Sequence, residues 1–266
     1  MNRQHVNVAG HRWNCAEAGQ GTPVLLVHGF PLDHTMWQPQ LDALSATSRL
    51  IAPDLPGFGG TAPAGEVMTM PQFADGLAAL LDQLGVQEPV VFCGLSMGGY
   101  IAWEFWRRYR QRVAKLVLCD TRAAADTPEA ARARRVAARR IDSEGKQPFL
   151  SAMVPKLMCD ATRNERAAVV AHVDRMTAAA HPQGVAAALR GMAQRTDSIG
   201  LLGDIDVPAL LLVGDQDEIS PVAEMQAMAA AMPHARLRVI SDAGHLAPLE
   251  NPPAVNKALA DFIRDA

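Results

Sequence analysis

The sequence predicts an α/β fold: one globular body built on a mainly parallel sheet, flanked by helices and carrying a helical insertion. Three observations lead there. Short apolar runs recur along the chain, helical patterns lie between several of them, and "CGLSMGG" (93–99) makes an abrupt turn between one such run and one such helix. Alternating strands and helices form parallel sheets with right-handed crossovers.

The runs are "VLLVHG" (24–29), "RLIAPD" (49–54), "PVVFCG" (89–94), "KLVLCD" (115–120), "ALLLVGD" (209–215) and "LRVISD" (237–242). Continuously apolar strands of this kind suit a sheet buried on both faces. Between them, Phe73, Leu77, Leu80, Leu81 and Leu84 share one helical face that Gly85 terminates. Ser220 before Pro221 and Asn251 before Pro252 read as N-caps followed by prolines whose missing N–H matters little in a first turn.

From 121 to 199 no strand-like run appears, and Ala, Arg and Met dominate. This stretch reads as a helical cap inserted between two parts of a core, 1–120 and 200–266, within a single structural domain. No Gly/Ser linker sets it apart. Its arginine-rich part, "ARARRVAARR" (131–140), fits a solvated helix face better than a binding patch. Met153, Leu157, Met158, Met176 and Met192, with Trp37 and Trp103, are expected to pack helices rather than to line a pocket.

With 266 residues, 49% of them hydrophobic and 20% charged, the chain is long enough to bury a substantial core as one domain. A net charge of -3 with interspersed signs argues against nucleic acid or an anionic membrane as partner, leaving small-molecule chemistry. Cys15, Cys93, Cys119 and Cys159 form no CxxC, which disfavours a zinc knuckle or a disulfide framework; Cys93 and Cys119 are expected to be buried thiols. Neither a signal-like apolar core at the N-terminus nor a run of about 18 apolar residues is present, so a cytoplasmic enzyme is expected. His28 and His34 are a close histidine pair, without HExxH or a carboxylate-rich ligand pattern, and "GLSMGG" is not GxGxxG. Neither metal nor other cofactor is expected.

Chemistry concentrates at Ser96. A serine at the tip of a tight strand-to-helix turn has crowded neighbours, and Gly94 and Gly98 remove the β-carbons that would collide. The run "PVVFC" before it and the helical stretch "MGGYIAWEFWRRY" after it supply the strand and the helix such an elbow joins. A serine hydroxyl becomes an effective nucleophile only when a base takes its proton and a carboxylate orients that base. Of eight histidines, His245 is best placed, in the loop "SDAGHLAPLENP" beyond the final run. "LLLVGDQDEISP" offers Asp215, Asp217 and Glu218 as the acid. A developing oxyanion would need two preorganised donors, for which the backbone N–H groups of Met97 and Phe30 are the candidates.

Together "HGF" (28–30), "DLPGFGGT", "GLSMGG", "GDQD" and "AGH" resemble the α/β-hydrolase family, from about residue 20 to the C-terminus. That resemblance implies eight strands with the second antiparallel, a cap after the sixth, triad order Ser, Asp, His, and Asp217 rather than Asp215 or Glu218 as the acid. Within the family, "HGFPLDHTMW" and "HLAPLENP" are closest in style to bacterial esterases and 3-oxoadipate enol-lactonases. Dehalogenases and epoxide hydrolases carry aspartate where this chain has Ser96, so those chemistries are disfavoured. The expected function is hydrolysis of small carboxylic esters or lactones through an acyl-enzyme. The alternatives are an enol-lactone or carbon–carbon bond hydrolase, a perhydrolase side activity, and a non-catalytic ligand receptor on the same fold.

Overall fold

The computed structural model describes residues 2–265. Its strands are β1 (Asn2–Val8), β2 (His11–Ala18), β3 (Thr22–Val27), β4 (Ser48–Pro53), β5 (Val90–Leu95), β6 (Val113–Cys119), β7 (Ala209–Gly214) and β8 (Ala235–Ile240). They form one sheet in the order β1-β2-β4-β3-β5-β6-β7-β8. Strand β2 runs antiparallel to both neighbours and the other pairings are parallel. The eight-stranded, mostly parallel sheet that the family resemblance implied is therefore present.

Around it lie α1 (Gln38–Leu44), α2 (Met70–Gln83), α3 (Met97–Tyr109), α4 (Pro128–Glu144), α5 (Gln147–Met153), α6 (Asp160–Glu165), α7 (Ala167–Ala179), α8 (Pro182–Met192), α9 (Val222–Ala231), α10 (Ala247–Glu250) and α11 (Pro252–Arg264). Alternate side chains of the central strands enter two separate cores. Leu25, Val27, Phe92, Leu116 and Leu211 meet Leu77, Leu81, Ile101 and Phe105 on one face. Val24, Leu26, Val91, Val117 and Leu212 meet Leu41, Leu44, Val255 and Leu259 on the other. Continuous hydrophobicity follows directly, since neither face of these strands has solvent to meet.

Strand β8 departs from this rule. It ends the sheet, and its Arg236, Arg238 and Val239 are exposed; charged side chains on an edge oppose pairing with another chain. The β1–β2 hairpin lies mostly outside the stretch that carried the resemblance. Its signals are the alternating burial of Val6, Val8, Trp13 and Cys15 and the Ala9-Gly10 turn, both at positive φ (48° and 87°).

Helix starts were partly legible. Asn251 caps α11, its side chain accepting from Ala254 N–H. Ser220 does not cap α9: Pro221 holds that position, while the Ser220 hydroxyl donates to the Asp120 carbonyl at 3.2 Å. The buried acceptor at the end of β6 has captured the hydroxyl.

Between β6 and β7 the chain runs through α4 to α8 without a strand. Arg132, Arg135, Arg139 and Arg140 of α4 are exposed, as expected of a solvated face, whereas Arg134 and Arg195 converge on the half-buried Asp126. Leu157, Met158, Met176, Met192, Trp37 and Trp103 are buried in the cores, and Met153 packs against both. Helix α8 rests on the loop after β4 by backbone contact: His181 N–H donates to Gly57 O (3.0 Å) and Met68 N–H to Ala187 O (3.1 Å). A Cβ on Gly184 would stand 2.3 Å from Gly57 Cα. Because backbone on both sides leaves no room to yield, Gly184→Ala is expected to destabilise the fold by about 1–3 kcal/mol, read as a lower urea midpoint.

Candidate active site

The C-terminal ends of β5, β7 and β8 open into three loops, and one side chain from each meets the others. Ser96 stands between β5 and α3 with φ 51° and ψ -108°, a left-handed conformation that a serine adopts only when its surroundings impose it. Glycine makes the turn possible. A Cβ on Gly94 would lie 2.4 Å from the Gly98 carbonyl group, and one on Gly98 would lie 2.4 Å from Val27 O. The turn is pinned by Ser96 N–H donating to Cys119 O (2.9 Å) and by the Thr121 hydroxyl donating to Ser96 O (2.7 Å).

Ser96 Oγ lies 2.8 Å from His245 Nε2, and His245 Nδ1 lies 2.8 Å from Asp217 Oδ2. The other Asp217 oxygen accepts from Ile219 N–H (2.8 Å) and Ser220 N–H (2.9 Å), so Oδ2 is left facing the imidazole. An ionised carboxylate only accepts, which puts the proton on Nδ1 and leaves the Nε2 lone pair for the Ser96 O–H. All three side chains are buried. Burial pushes the Asp217 carboxyl up, but His245 and the two backbone donors hold it below the usual carboxylate range. Asp215 and Glu218 are exposed, and the Asp215 carboxylate reaches Ala243 N–H instead.

The loop after β3 borders the same site. A Cβ on Gly29 would lie 3.5 Å from Ser96 Cβ. Met97 N–H opens α3 and has no partner one turn earlier, and Phe30 N–H carries no hydrogen bond among the described residues. Buried polar struts hold this loop. His28 Nδ1–H donates to Gly29 O (2.9 Å), and its Nε2 accepts from Leu55 N–H (3.0 Å); burial lowers its pKa and keeps it neutral. Asp54 accepts from His34 N–H, His34 Nδ1–H, Asn14 Nδ2 and Gly60 N–H.

Asp33, His34 and Asp54 bring three possible metal-ligand atoms within 4.8 Å of one another, the one such cluster among the described residues. Both Asp54 oxygens already accept hydrogen bonds, and Asp33 Oδ1 accepts from Thr35 N–H. The arrangement is that of a strut under the loop. Above the site, the Phe149 ring of α5 stands edge-on to Phe30 with centroids 6.2 Å apart. Phe149 also floors a groove of about 520 Å³ between α4 and α5, walled by Ala133, Val136, Ala137 and Ile141.

A profile of the family described as the alpha/beta hydrolase fold matches residues 22–252 of this chain. The chain belongs to the α/β-hydrolase family. Among solved structures, this α/β-hydrolase is similar to a thermophilic esterase from Thermogutta terrifontis, with TM-score 0.96, 44% identity and coverage of 99% of this chain and 98% of that one. It is 30% identical to a pimeloyl-[acyl-carrier protein] methyl ester esterase of Aromatoleum aromaticum over 91% of this chain and 98% of the relative. It is 25% identical to 3-oxoadipate enol-lactonase 2 of Acinetobacter baylyi over 92% and 91% of the two chains. No helix among the described residues is long and apolar enough to cross a membrane.

Two buried residues beside Ser96, His245 and Asp217 escaped the sequence reading. Thr121 braces the serine turn, as described, and carries no motif of its own. Asp120, at φ 47° after β6, accepts from Gly214 N–H (2.8 Å) through Oδ1, while its Oδ2 has no partner among the described residues. Burial first, and then the Asp217 charge, push its carboxyl well above the usual range. Folding therefore favours the protonated acid, and that preference is lost as pH rises from the unfolded value through the raised one. Asp120→Asn keeps the acceptor and suits the left-handed backbone. It is expected to raise the melting temperature relative to the parent at pH 8, with the gap closing as pH falls towards 4.

Proposed function

We propose that this α/β-hydrolase cleaves small carboxylic esters or lactones by serine acyl transfer. The observation that carries this reading is the continuous chain from Asp217 Oδ2 through His245 to Ser96 Oγ, with 2.8 Å at each link. The likeness to esterases and to an enol-lactonase supports the substrate class.

In the proposed reaction Ser96 Oγ attacks the acyl carbon as His245 Nε2 takes its proton. Asp217 holds the imidazole tautomer and stabilises the cation that forms. The N–H groups of Phe30 and Met97 receive the negative charge of the tetrahedral oxygen. Collapse breaks the carbon–oxygen bond to the leaving group, which departs with the proton from His245, leaving an acyl ester on Ser96. Water, deprotonated by His245, then attacks the acyl carbon; the acid product leaves and Oγ recovers its proton. Each step uses this chain's own groups and water.

Within this reading, the helical segment 121–199 serves as a cap over a core of 1–120 and 200–266. Its burial in both cores and its Phe149 contact with Phe30 support that role. An enol-lactone is the second substrate form, favoured by the lactonase likeness. Here the leaving oxygen belongs to the same molecule as the acyl group and departs as an enol that becomes a ketone.

Hydrolysis of p-nitrophenyl acetate and of longer esters, with an enol-lactone alongside, tests the proposal. Folded Ser96→Ala is expected to lose ~10⁴-fold or more in kcat/KM and all labelling by a fluorophosphonate. Equal rates in parent and variant would remove Ser96 as nucleophile. Phe149→Ala opens the boundary between the groove and Phe30, so kcat/KM is expected to rise for octanoate relative to acetate esters, read from the ratio of the two.

A further inference from the structure

Asp217 holds one nitrogen of His245, but the backbone of the His245 loop needs its own support. Glu250 in α10 supplies it, and its side chain is buried. Its Oε1 accepts from Gly244 N–H at 2.8 Å and from Leu246 N–H at 3.2 Å, the backbone donors of the residues on either side of His245. Its Oε2 accepts from Cys159 N–H at 2.9 Å, just before α6 of the helical segment. Gly244 permits this approach, since a Cβ there would stand 2.7 Å from Cys159 N and 3.2 Å from Glu250 Oε1. Arg166 closes the same junction by donating to Glu250 O (2.6 Å) and Asp242 O (3.1 Å).

We propose that Glu250 is a positioning residue for His245: its carboxylate fixes the N–H groups of both neighbouring residues, Gly244 and Leu246, from one side, anchored from the other by the helical segment. The inference rests on the catalytic reading given above. A single carboxylate with three backbone donors has no rotational freedom left, so the loop carrying the imidazole has one address. Neither the Asp217 bond nor the Ser96 turn supplies that constraint, because both contact the ring and not its backbone.

Variants of Glu250 separate orientation from simple folding. Glutamine retains one acceptor oxygen, and its favoured orientation places that oxygen against the two donors flanking His245 while its amide group faces Cys159 N–H. Alanine retains no acceptor. Aspartate, one methylene shorter, draws its carboxylate back from the two donors flanking His245, and it stands in for alanine should the alanine protein fail to fold.

The readout is kcat and KM for p-nitrophenyl acetate, expressed per reactive serine titrated to completion with a fluorophosphonate. Glu250→Ala or Glu250→Asp is expected to lower kcat about 100-fold with KM changed less than about twofold, and Glu250→Gln, which keeps the two loop donors and loses the Cys159 anchor, to fall between, about tenfold below the parent. A purely structural role would lower the number of titratable sites and leave kcat per site unchanged, and that result overturns the inference. So does an equal loss of kcat in Glu250→Gln and Glu250→Ala. A parent protein that neither turns over ester nor takes the label fails the catalytic reading itself, a result distinct from either.

Discussion

A hydrogen bond of 2.8 Å from His245 Nδ1 to Asp217 Oδ2 joins two loops that the sequence keeps 28 residues apart. Because the acceptor is an ionised carboxylate, the bond decides which nitrogen carries the proton and which is free for Ser96. The sheet order makes the bond possible. Strands β5, β6, β7 and β8 lie side by side and parallel, so the loops that leave their C-terminal ends emerge at one edge. Ser96 leaves β5, Asp217 leaves β7 and His245 leaves β8; β6 contributes Asp120 and Thr121 as cross-braces between them.

Two buried carboxyl groups in this neighbourhood show how local partners govern charge. Asp217 has two backbone donors and an imidazole, enough to offset its desolvation. Asp120 has one donor on one oxygen and the Asp217 charge nearby, and its carboxyl moves in the opposite direction. The pair illustrates why a carboxylate's role in a buried site follows from the number and placement of its donors more than from its residue type.

Close backbone approach is the second constraint. Gly94 against Gly98, Gly98 against Val27, Gly57 against Gly184 and Gly244 against Cys159 each bring segments nearer than a β-carbon allows. These contacts hold the serine turn, seat α8 on the core and let Glu250 reach across to Cys159. Polar struts at His28, Asp54 and Glu250 then fix the loops without placing uncompensated charge in the interior.

The elements visible in sequence were those with a local cause. Double-sided burial writes itself as continuous apolar runs in β3, β5, β6 and β7, and the steric demand of the serine turn appears as Gly94 and Gly98 around Ser96. Helix α2 and the Asn251 cap likewise depend on near neighbours in the chain. The short hairpin β1–β2 was less legible because its alternation spans only a few residues beside exposed polar ones. Three acidic residues in "GDQDEI" have equivalent local credentials, and only the fold turns Asp217 inward while Asp215 and Glu218 face solvent. Ser220 has the composition of a cap, yet a carbonyl 100 residues distant takes its hydroxyl. Thr121, Asp120 and Glu250 act through partners on other loops. The sequence by itself determined the alternation of strands and helices and the place of the tight turn at Ser96, because burial period and the glycines beside the serine are written in the chain; tertiary structure decided the strained conformation at Ser96 and which acid, which braces and which loop anchors meet it, because contacts and hydrogen bonds between distant segments exist only once the sheet has assembled.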